Sequence, residues 1–284
     1  MRHLKGTFGP TERLQKSYEQ AIRKISGKVL APQMPEETLE QWLARLQARS
    51  QEQDIQEASE SLATKMVHWV NVGNRQTWRQ AAALSQRSRM LHRLLAKEME
   101  GQTGLRVQQL IAENAKYISS VSTEAAEHLV HEVRAAQQNG ARAGTVAKMM
   151  RARFPALIRS RVHLIARTES AKASAALTQA RSEALNIEFY KWVTSEDGRV
   201  RGSHAHMNDV IVPWNDVPNP DHLAGVKSTL GAGHAGEFPN CRCTSMPVLD
   251  FDDLTFPCRV YHQGAIHQMN KQQFIKQFAA HQAA

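Results

Sequence analysis

Cys241-Arg242-Cys243 sets two thiols two residues apart, and His234 lies seven residues upstream in a Gly-rich stretch. His204 and His206 stand further back in the chain. Soft sulfur donors with imidazole nitrogens near them form the ligand set of a structural zinc, which takes four N or S donors in a closed site. On this reading the metal ligands are Cys241, Cys243, His234 and His206. Such a clip would hold an irregular loop in shape, because metal binding and folding are linked. Two reduced structural cysteines fit the same spacing. A disulfide across one intervening residue would be strained.

A second set is Glu169, Asp197, Arg199, Arg201 and His204. Histidine with arginine and a carboxylate suits phosphodiester cleavage, with His moving the proton and Arg on the phosphate. Glu169 and His204 are the catalytic candidates on that reading. The competing reading makes Arg167, Glu169, Asp197, Arg199, Arg201 and His204 a buried polar core. Neither G-x-x-x-x-G-K-[ST] nor H-E-x-x-H occurs, so phosphate-cradling loops and zinc-protease helices are absent.

The elements that must position these groups follow from periodicity. A helix over residues 160–185 carries Val162, Ile165, Ala166, Ala173, Ala176, Leu177, Ala180 and Ala184 on one face, with Glu169 on that same face. A carboxylate among small apolar residues must be paired, hydrogen-bonded or protonated. After Asn186 the period drops to 2. Residues 187–194 read as a strand, Asp197-Gly198 as a turn into Arg199-Val200-Arg201, and residues 210–214 as another strand. Ser203 is placed to cap a short turn bearing His204 and His206. Residues 215–240 are rich in Pro, Gly and Asn, and a loop that long is usually functional or pinned.

Upstream, residues 36–118 read as a string of helices. Leu39, Trp42, Leu43 and Leu46 form one amphipathic stripe, and Val121, Ala125, Leu129 and Val133 another, ended by Asn139-Gly140. Breaks are expected at Gly73-Asn74, Gly101 to Gly104 and Pro155, and Trp42, Trp69 and Trp78 are expected in the core, with anchoring of a partner interface as the other reading. Downstream, Gln263-Gly264 turns a second hairpin, and Asn270 caps a final helix reaching about Ala280. The expected fold class is α+β: a helical region at 1–118, a mixed domain with antiparallel hairpins at 119–250, and a hairpin and helix at 251–284.

The chain has 284 residues, with 36 Lys+Arg against 27 Asp+Glu for a formal charge of +9. That surplus favours contact with a polyanion, nucleic acid first and anionic lipid second. Three cysteines are too few for a disulfide framework, which points to a reducing, cytosolic origin. No apolar run approaches the roughly 18 residues of a membrane helix, and none follows Met1-Arg2-His3-Leu4-Lys5-Gly6 as a secretory signal would require.

Four blocks in this order and spacing carry a resemblance: Ala166-Arg167-Thr168-Glu169; Trp192-Val193-Thr194 with Asp197, Arg199 and Arg201; His204; and Pro239-Asn240-Cys241-Arg242-Cys243. Over roughly residues 120–247 the chain resembles the phage Mu F-like minor head, or head morphogenesis, proteins of tailed bacteriophages and prophages. The resemblance implies a low-copy virion protein, made in the host cytoplasm, that joins the portal to scaffold or major capsid protein during procapsid assembly. It also implies possible contact with packaged phage DNA, and no membrane. Phe238 stands where many relatives have His, leaving His234 as the substitute, and Asn208-Asp209 replaces a turn with Gly at its second position. Similar domains look like modules of some bacterial toxins, which keeps a nuclease using His204 and Glu169 as the alternative.

Overall fold

The computed structural model describes residues 7–227 and 230–278, except the side chains of residues 143, 147 and 151. The chain-start reading at Met1 to Gly6 and the last two residues of the expected final helix, Ala279 and Ala280, lie outside the described residues. Six helices come first: α1 (Glu12–Val29), α2 (Leu39–Ser50), α3 (Gln53–Leu84), α4 (Ser88–Lys97), α5 (Gln102–Gln138) and α6 (Ala143–Ala184). Then follow β1 (Phe189–Val193), α7 (Gly202–His206), β2 (Ile211–Pro213), α8 (Pro220–Leu223), β3 (Thr244–Pro247), β4 (Cys258–His262), β5 (Ala265–Met269) and α9 (Lys271–Phe278). The fold class is α+β. The chain forms two compact units, one of residues 11–69 and 108–170, the other of residues 1–10, 70–107 and 171–284.

In the first unit the helices start where side chains can replace missing amide partners. Thr11 accepts from the Leu14 amide at 3.2 Å, and Thr38 and Gln41 form a reciprocal capping box at α2. The expected stripe of α5 is real: Val121, Ala125, Leu129 and Val133 are all buried. Trp42 is buried, donates to the Ala31 carbonyl at 2.9 Å and meets Phe154 edge-on at 5.0 Å. Pro155 does not break the chain as expected; it lies inside α6, which runs through it. A proline there forfeits one backbone hydrogen bond, and the apolar residues on both sides, Met150 and Ile158, are buried. Trp69 departs from the expected core and is 47% exposed.

In the second unit α3 passes unbroken through Gly73-Asn74, because Asn74 is a buried polar anchor there and not a turn residue. Its side-chain amide donates to Thr178 Oγ1 at 2.7 Å, and its carbonyl oxygen accepts from Arg181 at 2.6 Å. Arg181 has no exposed side-chain surface and holds Glu98 through two bonds of 2.5 and 3.0 Å. Val162, Ile165, Ala166, Ala173, Leu177 and Ala180 of the expected α6 stripe are buried, and the buried face also takes in polar residues. Ser174, Thr178 and Ser182 are buried while Ala184 is exposed. Thr178 and Ser182 donate to carbonyls four residues back, at 2.8 and 2.9 Å, and Ser174 to the Phe8 carbonyl at 2.5 Å. Small hydroxyls that satisfy themselves on the helix can be buried at little cost.

The sheet runs β3-β1-β2-β4-β5, all neighbours antiparallel except β2 and β4. Tyr190 and Trp192 of β1 join one buried cluster with Met207, Val210, Val212, Trp214 and both cysteines. Phe189 joins another with Ile211, Val260, Phe274 and Phe278. The Gln263-Gly264 hairpin forms as read, both residues having positive φ (48° and 80°), and its strands extend the sheet of β1 to β3. Arg199-Val200-Arg201 does not form a strand. Asp197 accepts from the Arg199 amide at 3.0 Å, which tightens the turn and feeds the chain into α7 before it returns as β2.

Replacing Arg181 by methionine leaves Glu98 buried without its main counter-charge. The expected loss is about 3–5 kcal/mol of unfolding free energy, measured by urea denaturation. A loss below about 1 kcal/mol would show the pair is hydrated in solution.

Candidate metal centre

His204, Cys241 and Cys243 are buried, and one ligand atom from each lies within 4.8 Å of the others. Each residue reaches this point for a separate local reason. His204 and His206 sit two residues apart on α7, so they project from nearly opposite sides of the helix. His204 is buried and His206 exposed. Phe238 to Cys241 make a turn closed by the Cys241 amide on the Phe238 carbonyl at 3.0 Å. Pro239 sits second in that turn and Asn240 third with φ 56°, the pattern of a type II turn. Cys241 to Cys243 then lead into β3, with both sulfurs 3.5 Å from His204 Nδ1 and the Arg242 guanidinium on Asp197 instead. Both sulfurs therefore point inward and Arg242 points away.

The His204 Nδ1 atom is 3.5 Å from each sulfur. Tetrahedral zinc with bonds of about 2.3 Å to sulfur and about 2.0–2.1 Å to nitrogen separates such atoms by about 3.5 Å. The three residues therefore fit a zinc ion in both donor chemistry and spacing. Without metal the same contacts are thiolate–imidazole hydrogen bonds. The Cys243 thiol and then His204 pull the Cys241 thiol down to about 4. The Cys241 sulfur, reinforced by burial, pushes Cys243 up. A metal would displace the protons these thiols carry. His204 Nε2 is buried without a hydrogen-bond partner, its ring edge-on to Phe238 at 4.8 Å and to Trp192 at 5.6 Å.

His234, read from the sequence as a ligand, serves elsewhere. Its Nδ1 lies 3.1 Å from Tyr190 Oη, and its ring packs on Trp214 at 5.2 Å. Burial lowers its pKa and raises that of Tyr190, so a neutral imidazole accepts from a protonated phenol. The exposed His206 contributes its backbone carbonyl, which accepts from Arg259 at 2.7 Å.

The turn residues form an outer layer. Asp197 takes both guanidinium nitrogens of Arg242 on its two carboxylate oxygens and a third contact from Arg199 at 3.2 Å. Arg201 donates to the Pro239 carbonyl at 2.6 Å. Arg242 was missed by the sequence reading; its signal was its place between two inward-facing cysteines. Asp209, where relatives were read to have Gly, adopts φ 60°, and Asn208 Oδ1 secures the same turn on the Thr194 amide at 3.0 Å.

Arg167 and Glu169 belong to the other compact unit, where each is engaged by a neighbour. Glu169 is buried. Its charge acts, after burial, to raise the pKa of Tyr18, whose hydroxyl donates to Asn114 Oδ1 at 3.2 Å.

An α+β protein with a buried Cys/Cys/His cluster behind a Pro-Asn turn is the class these features define. Residues 127–246 match the family described as Phage Mu protein F like protein, which supports the resemblance to phage head morphogenesis proteins over that part of the chain. An uncharacterized protein of Haemophilus influenzae is 30% identical over 174 residues, 61% of this chain and 35% of the relative. The chain thus spans about a third of that relative's length. No solved structure matches.

The Arg242 guanidinium, with help from the Arg199 amide, holds the Asp197 carboxyl well below the usual carboxylate range. A depressed folded-state pKa stabilises above the unfolded value near 3.9 and is lost as pH falls through the folded value. Below about pH 4, Asp197→Asn should therefore lose thermal stability less steeply than the wild type. Parallel melting curves of the two proteins across that acid range are the check.

Proposed function

We propose that the protein acts in procapsid assembly at the portal of a tailed phage or prophage, bridging portal and scaffold or major capsid protein. The observation that carries this is the family match over residues 127–246. The formal charge of +9 supports contact with packaged DNA, through the long-range attraction of a basic protein for a polyanion. Among the described residues no helix is long and apolar enough to cross a membrane, in keeping with partners met in a head-assembly complex.

Within this role His204, Cys241 and Cys243 hold a structural zinc. When bound, the ion supplies a cross-link between α7 and the segment entering β3. Between β2 and β3 the only regular element among the described residues is the four-residue α8, so few ladder hydrogen bonds fix the loop. Its own residues do part of that work. Gly236 (φ 97°) lets the loop approach Ala175 and the Cys243 carbonyl so closely that a Cβ would sit 3.2–3.3 Å from them. Ser245 donates to the Ala235 carbonyl at 3.3 Å.

Two measurements test the role and the metal separately. Co-expressed with portal, scaffold and capsid proteins, the chain should sediment with procapsids and co-purify with the portal; absence from both sinks the assembly role. For the metal, elemental analysis should find about one zinc per chain. Cys241→Ser should lose it and open residues 214–243 to protease, and an unchanged zinc content would end the assignment.

A further inference from the structure

The cluster offers three ligands, whereas zinc takes four. Among the described residues no further His, Cys, Asp or Glu completes the group. One side of His204 is closed by the ring of Phe238, a residue with no lone pair to give. Another side is open. All three ligand residues line a cavity of about 90 Å³, whose remaining wall includes Arg199, Arg201, Asn240 and Arg242. A single water needs roughly 10–15 Å³, so the space takes several waters or one tetrahedral oxyanion.

The charge around this cavity is one-sided. Three guanidinium groups line it, and Asp197 is the carboxylate that answers Arg242 and Arg199, leaving two positive charges in excess. Nearby Glu196 and Glu237 are turned to other work, accepting from Asn208 at 3.4 Å and from the His234 amide at 2.6 Å. A zinc ion with two thiolates and a neutral imidazole adds no net charge to the balance. An anion is what this wall lacks, and guanidinium forks match oxyanions.

We propose that the metal held by His204, Cys241 and Cys243 keeps one coordination position open to the cavity. That position takes a small oxyanion of the phosphate class, with Arg199 and Arg201 holding it against the ion. The inference rests on the metal reading above and extends it: the centre is a ligand site as well as a clip. A free phosphate and the phosphate of a nucleic-acid terminus share this chemistry.

Full-length protein loaded with cobalt(II) in place of zinc tests it. Thiolate-to-metal absorption reports that the ion is bound, and the d–d bands report its coordination. Titrating inorganic phosphate should shift the d–d bands to saturation while the thiolate band persists. A short 5′-phosphorylated oligonucleotide should shift them too if a terminus is the source; a response to free phosphate alone would assign the site to the small ion. Arg199→Ala, which leaves the Arg201 brace on Pro239 in place, should keep the cobalt stoichiometry and near-ultraviolet circular dichroism but weaken phosphate binding about tenfold or more. Bands unmoved by phosphate at one cobalt per chain would overturn the open position and leave the metal clip standing. Equal phosphate affinity in Arg199→Ala would overturn the arginine assignment. Failure to bind cobalt at all would bring down both, and would be seen first as the missing thiolate band.

Discussion

Two sulfur atoms and an imidazole cannot be buried together without settling where the charge goes. At Cys241, Cys243 and His204 a single nitrogen faces both sulfurs at equal distance. That arrangement needs a cation, or a hydrogen-bonded substitute for one, because isolated ionised groups in an apolar setting cost several kcal/mol. The surroundings are apolar indeed: Trp192, Phe238, Tyr190 and Met207 belong to the same cluster as the cysteines. Around it the loop is fastened at successive points, by Tyr190 on His234, by Gly236 against α6 and by the Pro-Asn turn. The cluster is where those fastenings converge.

The helical part of the same unit solves its own burial problem differently. Arg181, Glu98, Asn71 and Asn74 satisfy one another with no metal, and Arg75 approaches Glu98 from the side at 3.2 Å. A buried ion pair of this kind adds little net stability but punishes any change to one partner. It fixes how α3 and the end of α6 sit in this unit, and hence the platform on which Gly236 brings the loop to rest.

Periodicity made much of this legible. The stripe through Val121 and Val133, the strand at 189–193, the Gln263-Gly264 turn and the α+β class all came from spacing alone. What spacing could not show was orientation. Both sulfurs of Cys-x-Cys reach one imidazole nitrogen, whereas His-x-His splits because the segment is helical. So the sequence paired the two cysteines that come together in the fold and, among three histidines, favoured the two that lie away from them. The polar anchors were hidden for another reason. Asn74 after Gly73 reads as a turn, and nothing in the spacing singles out Ser174, Thr178 and Ser182, until their partners are known. Glu169 was rightly marked as an anomaly on an apolar face; its setting includes Tyr18, a residue about 150 positions away.

The geometry also bears on which chemistry His204 can do. A histidine that shuttles protons needs one ring nitrogen directed at the reacting group and the other steadied by a partner. Here Nδ1 is taken by two sulfurs, and Nε2 is enclosed by aromatic rings without a hydrogen-bond partner. An imidazole so placed is well suited to holding and poorly suited to proton transfer. The charged residues that the sequence grouped with it act one layer out, Asp197 on Arg242 and Arg201 on the Pro239 carbonyl, where they brace the turn that delivers the cysteines. Reactive residue types at short spacing are therefore used here first as ligands and braces, and any chemistry at this centre would belong to what the arginine-lined cavity admits.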